Sequence, residues 1–558
     1  MQPSLPSRIA FPALALSLSS GLLWSLGAAE DAQLAFDLPA YDPLAYARER
    51  GAPPETNWEA TVPPACYTKT DGISNPCWVC HTIGVAPNDL VDRDLQARYA
   101  FSAGALKNHW ANLFEDRTEA AAAITDDEAR AWFAGDNYAP LRAALARFKG
   151  EEFPGYRPDL DLEAGFDEDG FARDGSGWRA VRYKPFNGTF WPTNGSTDDV
   201  FVRLPQRFRT RAGEPSREVE KANLTLLEVA LAADFRVTDP RALVHPIEPL
   251  DEAALGVDLD GDGAVQGRAT VLRGLPATYF GDAADEALER FVNPAGVEYL
   301  HTVRYVDPAS PTGHSRRMKE LRWSRKDLGL DAWGRQRAYE QEYNAKEEGV
   351  IPYFQGEPTI GLSNDFGWRL QGFIEDEAGR LRLQSDEEHR FCMGCHSSLG
   401  VTVDHTFTLA RKAPGLDGWR YQDLAGMQDA PQLGHAQPEV LTYLQRVRGG
   451  DEFRSNTEML ARFFTADGAV REAAVLRAAP GGDQDLRALL MPSERRALDL
   501  AKAYMTLVRK QRFELGRDAI LAPVVNVHAA IENGDTALGA SGLLFNDGRL
   551  WLDWAWRP

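Results

Sequence analysis

The chain has 558 residues, of which 44% are apolar and 26% charged, and a formal net charge of −21. That length exceeds one compact core and predicts two to four domains. The acidic balance, with no basic arm or patch to offset it, excludes nucleic acid as a partner; it favours solubility and would steer basic partner proteins from a distance, an attraction that salt screens.

The N-terminus reads as a secretory signal. Arg8 is the sole charge before Glu30, and between them runs "IAFPALALSLSSGLLWSLGAA". Gly27 and Ala29 are small enough for signal peptidase, so residues 1–29 are predicted to be removed. The alternative is a retained anchor, against which Pro12, four Ser residues and the small-residue exit argue. No Cys follows the apolar run, which speaks against a lipid-anchored form. No later segment is apolar for long enough to span a bilayer. The expected product is exported, periplasmic and soluble, with no integral membrane span.

Residues 30–60 are Pro-punctuated and irregular. The first short motif follows at residues 76–84, "PCWVCHTIG", and "DDEARAWFAGDNYAPLRAALARFKG" at 126–150 has helical spacing with a break at Gly135–Pro140. Residues 30–150 are taken as the first region. Residues 151–350 read as a β-rich body of strands, turns and long loops, interrupted by an amphipathic helix at 216–235 and returning to strand at "VEYLHTVRYVD". Asn187 and Asn194 head glycosylation-type triplets, but these are discounted on the bacterial character of the chain argued below. Within the body, "DLDGDGAVQGRA" at 258–269 sets Asp258, Asp260 and Asp262 alternately, with Gly263 at the turn. This is the first half of an EF-hand loop, where carboxylates face a hard cation. The twelfth position is Ala269 and no flanking helix pair is evident, so a weak calcium loop and a solvated Asp-Gly turn both remain open.

A second region, 351–515, begins with a predicted hairpin in "GWRLQGFIEDEAGRLRLQ", its tip at Glu375–Gly379, and leads into "RFCMGCHSSLG" at 390–400. Helices are predicted at 437–448, 457–464 and 493–514, the last with Ser493 as N-cap. In residues 516–558, alternation around Asn546-Asp547-Gly548 predicts a C-terminal hairpin packed back on the body.

Two Cys-x-x-Cys-His runs in a chain with five Cys and ten His are not chance. The spacing is the attachment signature of c-type haem. Two thiols add across the haem vinyl groups, and the following imidazole lies over the porphyrin face. Cys77 and Cys80, and Cys392 and Cys395, would form thioethers; His81 and His396 would be the proximal iron ligands. A thioredoxin-like pair would want a βαβ setting that neither run has, one zinc site would have to bridge widely separated pairs, and plain disulfides leave both His residues unexplained. Both stretches resemble the di-haem c-type cytochromes, over about a dozen residues each. The rest of the chain joins no known family by its motifs.

The resemblance implies an α+β fold: two mostly helical, haem-bearing regions around the β-rich body. It implies two covalently attached haem c groups, a bacterial exported setting, and electron transfer with redox partner proteins. The alternatives are a di-haem oxidoreductase of peroxidase or oxygenase type with one open haem, and a docking subunit of a larger assembly. His109 and His301 are the candidate distal ligands. His405, His389, Met318 and Met427 are weaker ones. Cys66 is left without a partner and is expected as a buried free thiol.

Overall fold

Runs rich in aromatic and β-branched residues become strands, because such side chains pack well on a pleated, half-buried surface. The computed structural model describes residues 41–50, 56–57, 59–350, 354–407, 409–449 and 456–558. The predicted signal peptide lies outside them. The strands, in chain order, are β1 (Arg179–Val181), β2 (Ser196–Arg203), β3 (Thr210–Arg211), β4 (Glu214–Pro215), β5 (Val244–Asp251), β6 (Arg268–Arg273), β7 (Glu298–Val306), β8 (His314–Lys326), β9 (Gln355–Glu357), β10 (Gly361–Ser363), β11 (Trp368–Glu375) and β12 (Leu381–Leu383).

Eight of them form one antiparallel sheet in the order β1-β2-β7-β8-β11-β10-β9, with β12 also on β11. β3-β4 and β5-β6 are separate two-stranded ribbons. The register sets the two faces. Val200 pairs with His301, His301 with Arg322, and Arg322 with Gly372, so these positions line one face. The opposite face carries Phe201, Leu300, Leu321, Trp323 and Phe373, which bury against Leu141, Leu145, Phe153 and Tyr156. Tyr156 stacks on Trp323 with ring centres 5.2 Å apart. Elsewhere, Tyr305 and Ile374 pack on the helix Glu494–Lys510.

Local signals set several helices where expected. Ser216 caps Arg217–Ala232, and Ser493 caps Glu494–Lys510 through the Arg496 amide. Helices also occupy Asp126–Ala134, Tyr138–Leu145, Glu439–Val447 and Thr457–Phe463. The predicted hairpin at 368–383 forms, as β11 paired with β12.

Two expectations need correction. The fold is not a pair of mostly helical regions around a β-rich body. The first Cys-x-x-Cys-His run lies among four-residue 3-10 turns, and the second ends an eight-residue helix set against the sheet. The sheet itself draws strands from residues 179 to 383, reaching into the segment expected to be helical. The reason is that a Cys-x-x-Cys-His needs only one helical turn, which any scaffold can supply. The second correction is the C-terminal hairpin. Residues 542–558 contain no strand, only an isolated bridge from Leu552 to Gln432. Asp547 at the expected turn instead takes a two-pronged bond from Arg446, and Gly548 packs so closely on the Trp78 carbonyl that a Cβ would sit 2.6 Å from it.

Candidate functional site

The two Cys-x-x-Cys-His runs fold into the same turn. In the first, the amides of Cys80 and His81 both donate to the Cys77 carbonyl, at 3.3 and 2.9 Å. In the second, the amides of Cys395 and His396 donate to the Cys392 carbonyl, at 3.2 and 3.1 Å. One helical turn thus presents two thiols and an imidazole in each case.

Different supports hold the turns. Asn75 caps the first by accepting the Trp78 amide at 3.1 Å. Its own amide donates to Gln96 Oε1 at 2.9 Å, and Gln96 donates to the His81 carbonyl at 2.6 Å. The second turn ends the helix Asp386–Met393, which opens with a capping box between Ser385 and Glu388. Arg382 clamps Glu388 with two bonds of 2.9 and 2.8 Å, both side chains fully buried. The guanidinium holds the Glu388 carboxyl down to about 2, against the opposing effect of burial. Gly394 is required inside this motif, since a Cβ there would meet the Thr61 carbonyl at 2.1 Å.

Far apart in sequence, the turns meet in space. The Val401 amide donates to the Cys80 carbonyl at 3.2 Å. Asn88 Nδ2 donates to the Leu399 carbonyl at 2.9 Å. Gly400 packs on Thr82 so tightly that a Cβ would lie 2.5 Å from its carbonyl. Cys66 lies in the 3-10 turn Pro64–Tyr67, where burial raises its thiol. None of the five cysteines is in a disulfide. Burial raises every thiol, Cys77 to about 12 and Cys395 to about 11. All five are therefore protonated near neutral pH, unlike the low-pKa thiolate of a redox pair. Among the described residues, the group of His, Cys, Asp and Glu ligand atoms that lies within 4.8 Å of one another is Glu252, Asp258 and Asp260, not the thiols.

Both motif imidazoles are oriented. His81 Nδ1–H donates to Asp92 Oδ2 at 3.0 Å, and His396 Nδ1–H donates to the His405 carbonyl at 3.0 Å. Burial keeps His396 neutral, with its pKa down to about 4. With Nδ1 so engaged, Nε2 is the remaining nitrogen on each ring. Beside His396 stand Phe407, at 6.1 Å between ring centres, and Phe186, 5.2 Å further on. Asn187, next to Phe186, is buried with neither amide atom hydrogen-bonded. Near the first turn, Trp78 Nε1 and His435 Nδ1 are likewise buried and unbonded.

The other candidate ligands of the sequence lie as follows. His301, on β7, pairs with Arg322, whose guanidinium lies over Phe391 in the helix of the second turn, but its Nε2 meets Asp198 Oδ2 at 3.2 Å. His109 Nε2 bonds the Gly104 carbonyl at 3.1 Å. His389 is a structural residue: Nε2 accepts the Gly372 amide at 3.0 Å, and Nδ1–H donates to the Ser385 carbonyl at 2.9 Å. His405 sits in a tight turn rather than a strand, with φ of 48° at Asp404 and 61° at His405. Both of its nitrogens are engaged, by Ser397 and Tyr339. Met318 and Met427 fill hydrophobic clusters.

The Asp loop takes a different form from that expected. Asp258 and Asp260 gather with Glu252, while Asp262 is exposed and accepts the Ala264 amide at 2.7 Å. The loop joins β5 to β6, and Glu252 opens a four-residue helix just after β5. Sequence spacing missed Glu252 because it lies outside the twelve-residue loop.

The comparisons with known proteins identify the family. A family model described as "-like lipoprotein" matches residues 52–481 and spans both motifs. An "Uncharacterized lipoprotein" of Aquifex aeolicus (strain VF5) is 32% identical over 521 residues, covering 83% of this chain and 86% of its own. No solved structure matches. These findings correct the resemblance to di-haem c-type cytochromes, which rested on about a twentieth of the chain. They also overturn the functions inferred through it, electron transfer between two haems and di-haem peroxidase or oxygenase chemistry. Lipoproteins are exported, so the protein is extracytoplasmic, and the family corrects the expectation of a freely soluble product without a lipid anchor. No helix among the described residues is long and apolar enough to cross a membrane. With 52–481 matched by its model, the chain belongs to this lipoprotein family.

Proposed function

We propose that this extracytoplasmic protein carries two covalently attached haem c groups, one on Cys77, Cys80 and His81, the other on Cys392, Cys395 and His396. The observation that carries the reading is the state of the two imidazoles: each Nδ1–H is committed to an oxygen, which leaves Nε2 as the metal donor. Each follows two thiols on an identical single turn. The unbonded side-chain atoms of Asn187, Trp78 and His435 support a partner from outside the chain, because buried polar groups are rarely left unpaired. When bound, haem supplies an iron centre whose properties its axial ligands set. The chain's part is to fix the porphyrin edge through thioethers, aim one imidazole at each iron and keep water off it. Of the two distal candidates, His301 lies beside Arg322, which reaches over Phe391 in the helix of the second turn, with its Nε2 on Asp198; His109 Nε2 is bonded within its own loop. The proposed compartment is the periplasm, where the acidic surface would suit basic partner proteins. Electron transfer and peroxide chemistry form no part of this proposal.

The test is production of the full chain in a host that attaches haem outside the cytoplasm, followed by intact mass and a denaturing haem stain. Two additions are expected, with one lost in Cys77→Ser/Cys80→Ser and the other in Cys392→Ser/Cys395→Ser. A chain with no addition and five alkylatable thiols would overturn the reading.

A second reading concerns calcium. The gathering of Glu252, Asp258 and Asp260 favours a hard-cation site that clamps the β5-β6 connection. Equilibrium dialysis with calcium alone should give one site, lost in Glu252→Gln.

A further inference from the structure

One residue outside both motifs touches both turns. Asp92 is 6% exposed and lies where residues 82–92 double back, Ile83 bridging to Val91 and the Asp92 amide donating to the Thr82 carbonyl at 3.2 Å. Its carboxylate accepts three donors. Oδ1 takes the Thr82 amide at 2.8 Å. Oδ2 takes His81 Nδ1–H at 3.0 Å and the Gly400 amide at 3.1 Å. Thr82 follows the first motif directly, and Gly400 lies just beyond the second. A charged acceptor makes stronger bonds than a carbonyl, and a buried one holds its donors in fixed directions. Gly400 has no Cβ, and a Cβ there would lie 2.6 Å from Asp92 Oδ1, so the close approach depends on this glycine.

From this we infer that Asp92 is the positioning residue of the paired site: it aims His81 and locks the two turns in one register. It also makes them unequal. His81 leans on a carboxylate and His396 on a carbonyl. A carboxylate partner raises the basicity of a metal-bound imidazole more than a carbonyl does. The inference rests on the haem reading only for this second consequence.

The test uses the full chain with Asp92→Asn, Asp92→Ala and, as the conservative control, Asp92→Glu, each checked for folding by thermal melting. Hydrogen exchange is followed by mass spectrometry in peptides covering Thr82 and Gly400. In the haem-free chain, Asp92→Asn and Asp92→Ala should speed exchange at both places about tenfold or more, as expected for loss of a charged hydrogen bond, and Asp92→Glu should recover part of it. Unchanged exchange around Gly400 overturns the inference, whether or not haem is carried. In the haem-loaded chain, optical titration of single-turn variants should show the midpoint of the first turn rising in Asp92→Asn and that of the second unmoved. Equal shifts, or none, overturn the inequality. Failure to load haem in the unsubstituted chain would count against the proposed function alone, because the exchange result is read without it.

Discussion

The two Cys-x-x-Cys-His turns share their backbone bonds and almost nothing else. The first is pinned from outside: Asn75 and Gln96 tie it to residues near Phe545, and Arg549 reaches the Thr82 hydroxyl and the Ile83 carbonyl. The second is held from its own helix and the sheet beside it: a capping box, the pair from Glu388 to Arg382 on β12, and β11 beneath. Arg322 and Arg517 both lie over Phe391, at 6.0 and 4.7 Å, with Trp110 at its edge. The contrast teaches that the motif's chemistry constrains one turn, and the scaffold around it is free to vary. Both turns lean on tertiary contacts, but only the second also ends a capped helix.

Four substitutions probe that contrast. The largest effect is expected from Glu388→Ala, which strands the fully buried Arg382 guanidinium and should cost about 3–5 kcal/mol in urea unfolding. Second is the acid response of the helix behind the second turn. His389 is buried and neutral, its pKa lowered to about 4 by desolvation. An unfolded histidine titrates near 6.5, so this contribution is full above that pH and is lost as pH falls from about 6.5 toward 4. His389→Asn should flatten the stability-versus-pH curve of the haem-free chain across that window by about 2–3 kcal/mol; an unchanged slope would show that the ring is not kept neutral. Third, Gly400→Ala forces a methyl against Thr82 and Asp92 and should cost about 1–3 kcal/mol, with faster exchange at both turns. Smallest is Asn75→Ala, which removes one cap from the first turn and should cost about 1 kcal/mol by the same urea measurement. If Asn75→Ala exceeded Glu388→Ala, the contrast between external and internal support would be reversed.

Much of this was legible in the residues. The two motifs, the Ser-capped helices, the strand around His301 and the hairpin of β11 and β12 all depend on spacing and neighbours within a dozen residues. The Asp loop was half legible, because Glu252 comes from the preceding element. The C-terminal hairpin was misread for an instructive reason. Asn546-Asp547-Gly548 has good turn chemistry, but Arg446 and His435 draw Asp547 into a distant pairing, which pulls its carboxyl far below the ordinary range. Those bonds outweigh a local preference worth less. The helices predicted from spacing beside each motif form, but the expectation of mostly helical regions was a carry-over from the motif resemblance, and the first motif itself sits among short 3-10 turns.

What the sequence by itself determined is chemistry carried by near neighbours: which thiols and imidazoles share a turn, and which helices have their caps. What only the tertiary structure decided is which turns meet. Asp92, Gly400 and Thr82 are unremarkable in the chain, and their joint role arises from contacts across more than three hundred residues. Such contacts leave no period or spacing to read, because they are fixed by the packing of the whole sheet and its surrounding loops rather than by any local rule.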